Sequence, residues 1–185
     1  MKKVNLSSHR IRRLRIVCVV TLVLYAFLCH CPYRYYNDDM VDYIQSNYND
    51  KSRCMCAWYV MKAIRNGGCL NCYIYPAYAY NKILPQLGFT EISSHNYIPK
   101  RGDISVLPQN DKSSFGHIAI YDGNNWISDF KQRSIFPGVI YENVGKYQIF
   151  RIEDGWHWAH LVINPVDIIE YAKTLLRGYK RIRLF

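Results

Sequence analysis

The spacing of apolar residues changes once along this chain, near Pro99, and that change restricts the folds open to it. Before it the period is helical. The stretch "MVDYIQSNY" places Met40, Tyr43 and Ile44 at i, i+3, i+4, and a helix is predicted from about residue 55 to Asn66. Ala57, Val60, Met61 and Ile64 form its apolar stripe, Ser52 stands where a cap would, and Gly67 and Gly68 mark its end. "PAYAYNKILPQLGF" reads as a further short helix, opened by Pro76 and interrupted or ended near Pro85. After Pro99 come "GDISVLP", "GHIAIYDG", "NWISDF" and "KYQIFRI", short runs rich in β-branched and aromatic residues and separated by turn formers. Helices followed by strands indicate an α+β fold, N-terminal helices packed on a small antiparallel sheet, rather than repeated βαβ units.

The chain has 185 residues and a formal charge of +10. Such a charge suits nucleic acid when it is spread over a fold, but here it sits in the tails. Residues 1–15 carry six basic residues (Lys2, Lys3, Arg10, Arg12, Arg13, Arg15), and residues 170–185 carry five (Lys173, Arg177, Lys180, Arg181, Arg183) against Glu170. The tails thus hold +6 and +4, which leaves residues 16–169 neutral. No nucleic-acid partner is expected.

The basic N-terminus runs into "IVCVVTLVLYAFLCHC", sixteen uncharged residues from Ile16 to Cys31. That order matches a signal peptide or an uncleaved anchor, although a helix of this length is ~24 Å against a hydrocarbon core of ~30 Å. Three regions are therefore expected: residues 1–35 as a basic segment plus signal anchor, 40–152 as the folded domain, and 153–185 as a basic amphipathic tail. The domain would be held at a membrane, outside the cytoplasm in the periplasm. Were translation to begin at Met40, it would instead be released or delivered to the periplasm of another cell. In the tail, Ile168, Ile169, Ala172, Leu175, Leu176 and Tyr179 form an apolar stripe beside a basic face. This suits a membrane-surface helix or a last helix packed on the domain.

Four of the seven cysteines, Cys54, Cys56, Cys69 and Cys72, lie beyond the leader with a spacing that invites a zinc reading. The predicted helix separates the two pairs by ~18 Å, whereas four thiolates on one zinc each stand ~2.3 Å from the metal. Disulfides between the pairs fail for the same reason. No metal or cofactor is expected, and Cys69 and Cys72 are either paired with each other or two buried thiols. Cys54 and Cys56 stand at a helix N-terminus, where the dipole and unpaired N–H groups favour a thiolate. His117, after a glycine at the start of a strand, is a partner for either. His9 and His30 belong to the leader, His95 to a polar loop, and His157 and His160 flank Trp158. A cysteine opening a helix, a histidine on a strand and a polar residue on the next strand follow the logic of nucleophilic catalysis.

"CAWYV", "KRGDISVLP", "GHIAIYDG" and "WISDF", in this order, resemble the CHAP and NlpC-type papain-like amidases and peptidases that cleave peptidoglycan. The likeness is strongest to the small amidase-type toxins delivered between bacteria by type VI secretion, and it covers about residues 40 to 152. It implies Cys56 as nucleophile, His117 as general base and Asp129 as the group that orients the imidazole, or Ser128 on the NlpC-type pattern; apart from the resemblance, Gln132 is a weaker candidate for a polar site group. Cys54 has no role in that pattern. It further implies a peptidoglycan substrate, hydrolysis of amide bonds in the stem peptides, an immunity protein as partner if the chain is a toxin, and no cofactor. The alternative is a catalytically silent, membrane-anchored binding protein on the same fold. Strand geometry bears on the third residue: a two-residue loop at Gly123 and Asn124 puts Ser128 on the face of His117, whereas a three-residue loop with a bulge brings Asp129 there. A carboxylate stabilises an imidazolium better than a hydroxyl, so Asp129 and the bulge are expected.

Overall fold

In the computed structural model, residues 13, 15–21, 30–70, 72–143 and 145–160 are described. Strand β1 (His30–Tyr35) leads into helices α1 (Asn37–Asn47) and α2 (Cys56–Asn66). A 3₁₀ turn (Ala77–Ala79) then opens α3 (Tyr80–Gln86), which ends one residue after Pro85. The strands follow: β2 (Thr90–Ile92), β3 (Ile104–Leu107), β4 (His117–Tyr121), β5 (Trp126–Ile127) and β6 (Lys131–Gln132), then the single helical turn α4 (Val139–Glu142), β7 (Gln148–Arg151) and β8 (Gly155–His160). The larger sheet has the order β2-β7-β3-β4-β5-β6 with every pair antiparallel, and β1 and β8 form a second, two-stranded sheet. The fold is α+β, with helices laid on one face of an antiparallel sheet, as the change of period predicts.

The stripe of α2 is buried at Val60, Met61, Ala63 and Ile64, and α1 contributes Met40, Val41 and Ile44 to the same core. Alternation along the strands sorts the rest. Ile118 and Ile120 of β4 face the helices, whereas Ala119 joins Trp126 and Ile149 in a smaller cluster on the other face. Tyr35 and Ala159 are fully buried in the main core, so the packed unit begins ahead of Met40 and continues past residue 152. At the C-terminal end of α2, Gly68 has φ +111°, and a Cβ there would lie 2.0 Å from the Arg34 carbonyl. Only glycine lets β1 pass that close.

The β1–β8 pair corrects the expected membrane anchor. His30 and Cys31, the last residues of the uncharged run, are already paired in strand with His160 and Ala159, so that end of the run is committed to a sheet rather than to a spanning helix. Residues 15–21 are helical, and among the described residues no helix is long and apolar enough to cross a membrane. The tail stripe from Ile168 to Tyr179 lies outside the described residues.

Candidate active site

Cys56 is the first residue of α2, and its approach is shaped from across the fold. Asp129, completely buried, accepts hydrogen bonds on Oδ2 from the backbone N–H groups of Arg53 (2.6 Å) and Met55 (3.1 Å) and from the Ser52 hydroxyl (3.3 Å). Asn49 donates to the Asp129 carbonyl from its backbone (2.8 Å) and its side chain (2.9 Å). The N-cap residue Met55 makes no side-chain cap bond; the Asp129 carboxylate, in a hairpin loop, instead holds the segment that leads into the helix. Within the loop Cys54 sits at φ 59°, and its N–H donates to Ser52 Oγ (3.2 Å).

The expected bulge is absent from the first hairpin. Tyr121 pairs with Trp126 and Ile120 with Ile127, which leaves Gly123 and Asn124 as a two-residue loop. The three-residue loop comes one hairpin later: Ile127 pairs with Lys131, and Ser128, Asp129 and Phe130 turn the chain with Asp129 at the apex. That apex points Asp129 at the loop before α2. The strand that follows returns Gln132 to the sheet opposite Trp126.

His117 begins β4 behind Gly116, which has φ +68° and would place a Cβ 2.4 Å from the Leu107 carbonyl. Its Nε2 lies 2.6 Å from Gln132 Nε2, which also donates to Ser128 Oγ (2.9 Å). Ser128 Oγ is 3.2 Å from Asp129 Oδ1. The three candidates for the third position thus occupy one connected network: Gln132 touches the imidazole, Ser128 touches Gln132, and Asp129 acts on the ring through its charge. Tyr141 of α4 and Phe130 flank the imidazole, with ring centroids 5.9 Å and 6.5 Å away. No periodicity or motif singles Tyr141 out in the sequence; only the fold brings α4 against β4.

The Cys56 thiol faces the backbone N–H groups of Ile118 and Ala57, which places it beside the residue next to His117. Burial pushes the thiol up to about 12, with the negative charge of Asp129 adding to the effect, and the two N–H donors only partly offset it. The helix terminus was expected to favour a thiolate; removal from water outweighs it. Burial likewise lowers His117 from 6.5 to about 4, against the opposing pull of the Asp129 charge. At neutral pH both groups rest uncharged.

A stability prediction follows. Because folded His117 resists protonation, the unfolded chain takes the proton first. Stability is complete above about pH 6.5, declines as pH falls through that value, and has lost roughly 3 kcal/mol from this source near pH 4. Urea midpoints measured across this range should show the decline, and His117→Gln should flatten it.

The other cysteines lie apart. Cys54 is exposed, whereas Cys69 and Cys72 are buried, unoxidised thiols beyond the far end of α2. Among the described residues no group of three or more His, Cys, Asp or Glu side chains is placed to hold a metal.

No family model matches the chain, and no curated protein matches it. Two solved structures do. One is the type VI native effector-immunity complex Tae3–Tai3 from Ralstonia pickettii, a chain of which is 36% identical, with a TM-score of 0.60 over 64% of this chain and 100% of that one. The selenomethionine form of the same complex gives 36% identity and a TM-score of 0.55 over 60% of this chain and 97% of that one.

Proposed function

The chain belongs to the Tae3 family of type VI effectors, and on that premise we propose that it is a cysteine amidase that hydrolyses amide bonds in peptidoglycan stem peptides. The observation that carries the reading is the seating of the Cys56 thiol at the start of α2 against Ile118, the neighbour of His117. A half-buried thiol and a buried imidazole held by adjoining elements are the parts nucleophilic attack on an amide requires. As Sγ bonds to the carbonyl carbon, His117 removes the thiol proton; because both groups rest neutral, transfer accompanies attack instead of preceding it. The carbonyl oxygen becomes an oxyanion, which the backbone N–H of Cys56 at the start of α2 would meet. His117 then gives the proton to the departing amine, and water hydrolyses the thioester. Asp129, whose charge acts on His117, stabilises the imidazolium while it exists. Gln132 orients the ring.

The partner that suits this reading is an immunity protein, since the similar structures are effector-immunity complexes. The test is direct. Purified full-length protein incubated with intact sacculi should release soluble fragments carrying new amino termini on the stem peptide. Sacculi that stay intact, with no new amine, would remove the amidase reading and favour a binding protein.

A further inference from the structure

We propose that Ser128 is a positioning residue that decides which nitrogen of His117 carries the proton, acting through Gln132 and taking its direction from the Asp129 carboxylate. The proposal rests on His117 being the general base, and it concerns how that base is set.

Ser128 is completely buried and its hydroxyl has one proton to give. Three groups compete for it. Asp129 Oδ1 lies 3.2 Å away, the Phe130 carbonyl 3.4 Å and the Gln132 amide 2.9 Å. An ionised carboxylate is the stronger acceptor, so the proton goes to Asp129. The Ser128 lone pairs then face Gln132, which must answer with N–H, and this fixes the amide nitrogen on that side. The second amide proton points at His117 Nε2, 2.6 Å away. That nitrogen must therefore offer a lone pair, and the ring proton sits on Nδ1.

The arrangement has one cost, an orphaned buried acceptor at Gln132 Oε1. Reversing the amide would give Oε1 its partners, but the two amide N–H bonds would then occupy the site where Oε1 has none. It would also draw the Ser128 proton away from an anion. Orphaned N–H groups are rarer than under-satisfied carbonyls, and a bond to a charge is the stronger one to lose. The observed orientation is the favoured resting state.

The other groups around the imidazole do not compete. Phe130 is apolar, and the Tyr141 hydroxyl is turned to Ser113 Oγ (2.5 Å). The consequence for the reaction is specific. Gln132 occupies the Nε2 edge, so Nδ1 is the nitrogen left to exchange a proton with Cys56, and at rest it already holds one. Accepting the thiol proton requires the other tautomer, with the amide reversed and the Ser128 hydroxyl turned from Asp129 to Gln132 Oε1. One proton leaves Nδ1 for water and one arrives at Nε2 from water, with no net change. The Ser128 hydroxyl is thus a two-position rotor that sets whether the imidazole donates or accepts.

The test reads the tautomer directly. Full-length protein labelled with ¹⁵N-histidine gives long-range ¹H–¹⁵N correlation spectra in which His117 is assigned by its loss in His117→Gln. The wild type should show the Nδ1–H form near neutral pH. Ser128→Ala, which frees the amide to reverse, should change the tautomer ratio at least about tenfold toward Nε2–H. Gln132→Glu has no N–H to donate and should place a proton on Nε2 outright, as the neutral tautomer or the cation. A wild type already in the Nε2–H form would overturn the proposal, as would a Ser128→Ala spectrum with the wild-type ratio. If Ser128→Ala does not fold, the wild type and Gln132→Glu still decide it. The spectra need no substrate, so a failure of sacculus digestion would remove the amidase reading while leaving the tautomer result to stand or fall alone.

Discussion

Cys56→Ala is expected to bring fragment release from sacculi to background, a loss of at least about 10³-fold, while leaving the fold intact. The loss is large because no other group can form the covalent intermediate: the nearest thiol, Cys54, is exposed and two residues back in a loop at φ 59°. The fold should survive because the substitution removes a single half-buried sulfur, at a cost on the order of 1 kcal/mol. Cys54→Ser is the matched control. It changes an exposed atom outside the core, so the rate should stay within roughly twofold of wild type. If the two variants exchanged behaviour, the nucleophile would be Cys54.

The second large effect is expected of Asp129→Ala, and it should appear in stability and activity together. Removing the carboxylate strips the acceptor from the Arg53 and Met55 amides and from the Ser52 and Ser128 hydroxyls. Such a network is worth about 3 kcal/mol or more, which for a chain of this size lowers Tm by on the order of 10 °C. The loop that delivers Cys56 would then lose its fixed path, and displacement of a reacting atom by ~1 Å costs on the order of 10²-fold in rate. Asp129→Asn should recover part of the stability, because an amide oxygen can still accept from one backbone N–H while its NH₂ meets another donor. Thermal melts and sacculus digestion on the same preparations check both halves. An alanine variant as stable and active as wild type would show that the clasp carries no energy.

The helix and the strand on which this reading depends were visible in the amino-acid pattern, because each is long enough to repeat its period. The Val60, Met61 and Ile64 stripe ends at Gly67, and Cys56 is the first residue of that helix. The β5–β6 hairpin was not visible in the same way. Two-residue strands carry no period, and nothing local marks Asp129 as a turn apex or shows that the chain folds back far enough to bring Gln132 to the imidazole. The three-residue loop was expected one hairpin too early because loop length was inferred from the charge a site would want, whereas Asp122 settles it. Its Oδ1 accepts from the N–H groups of Asn124 and Asn125, and its own N–H bonds to the Asn125 carbonyl, closing the two-residue loop. The thiol was misjudged for a different reason: a helix terminus can be read from spacing, but burial cannot. The anchor reading failed at His30 and Cys31, whose strand partners His160 and Ala159 lie far downstream, beyond the reach of any local pattern.

The clasp between Met55 and Asp129 joins residues 74 positions apart. Closing a contact of such high sequence separation costs loop entropy that the interactions it brings must offset. A copy that has formed its helices but not yet docked the last hairpin therefore has a cysteine without a defined approach and a histidine without its amide partner. On the proposed function, wall-cleaving activity requires that this long-range closure be complete.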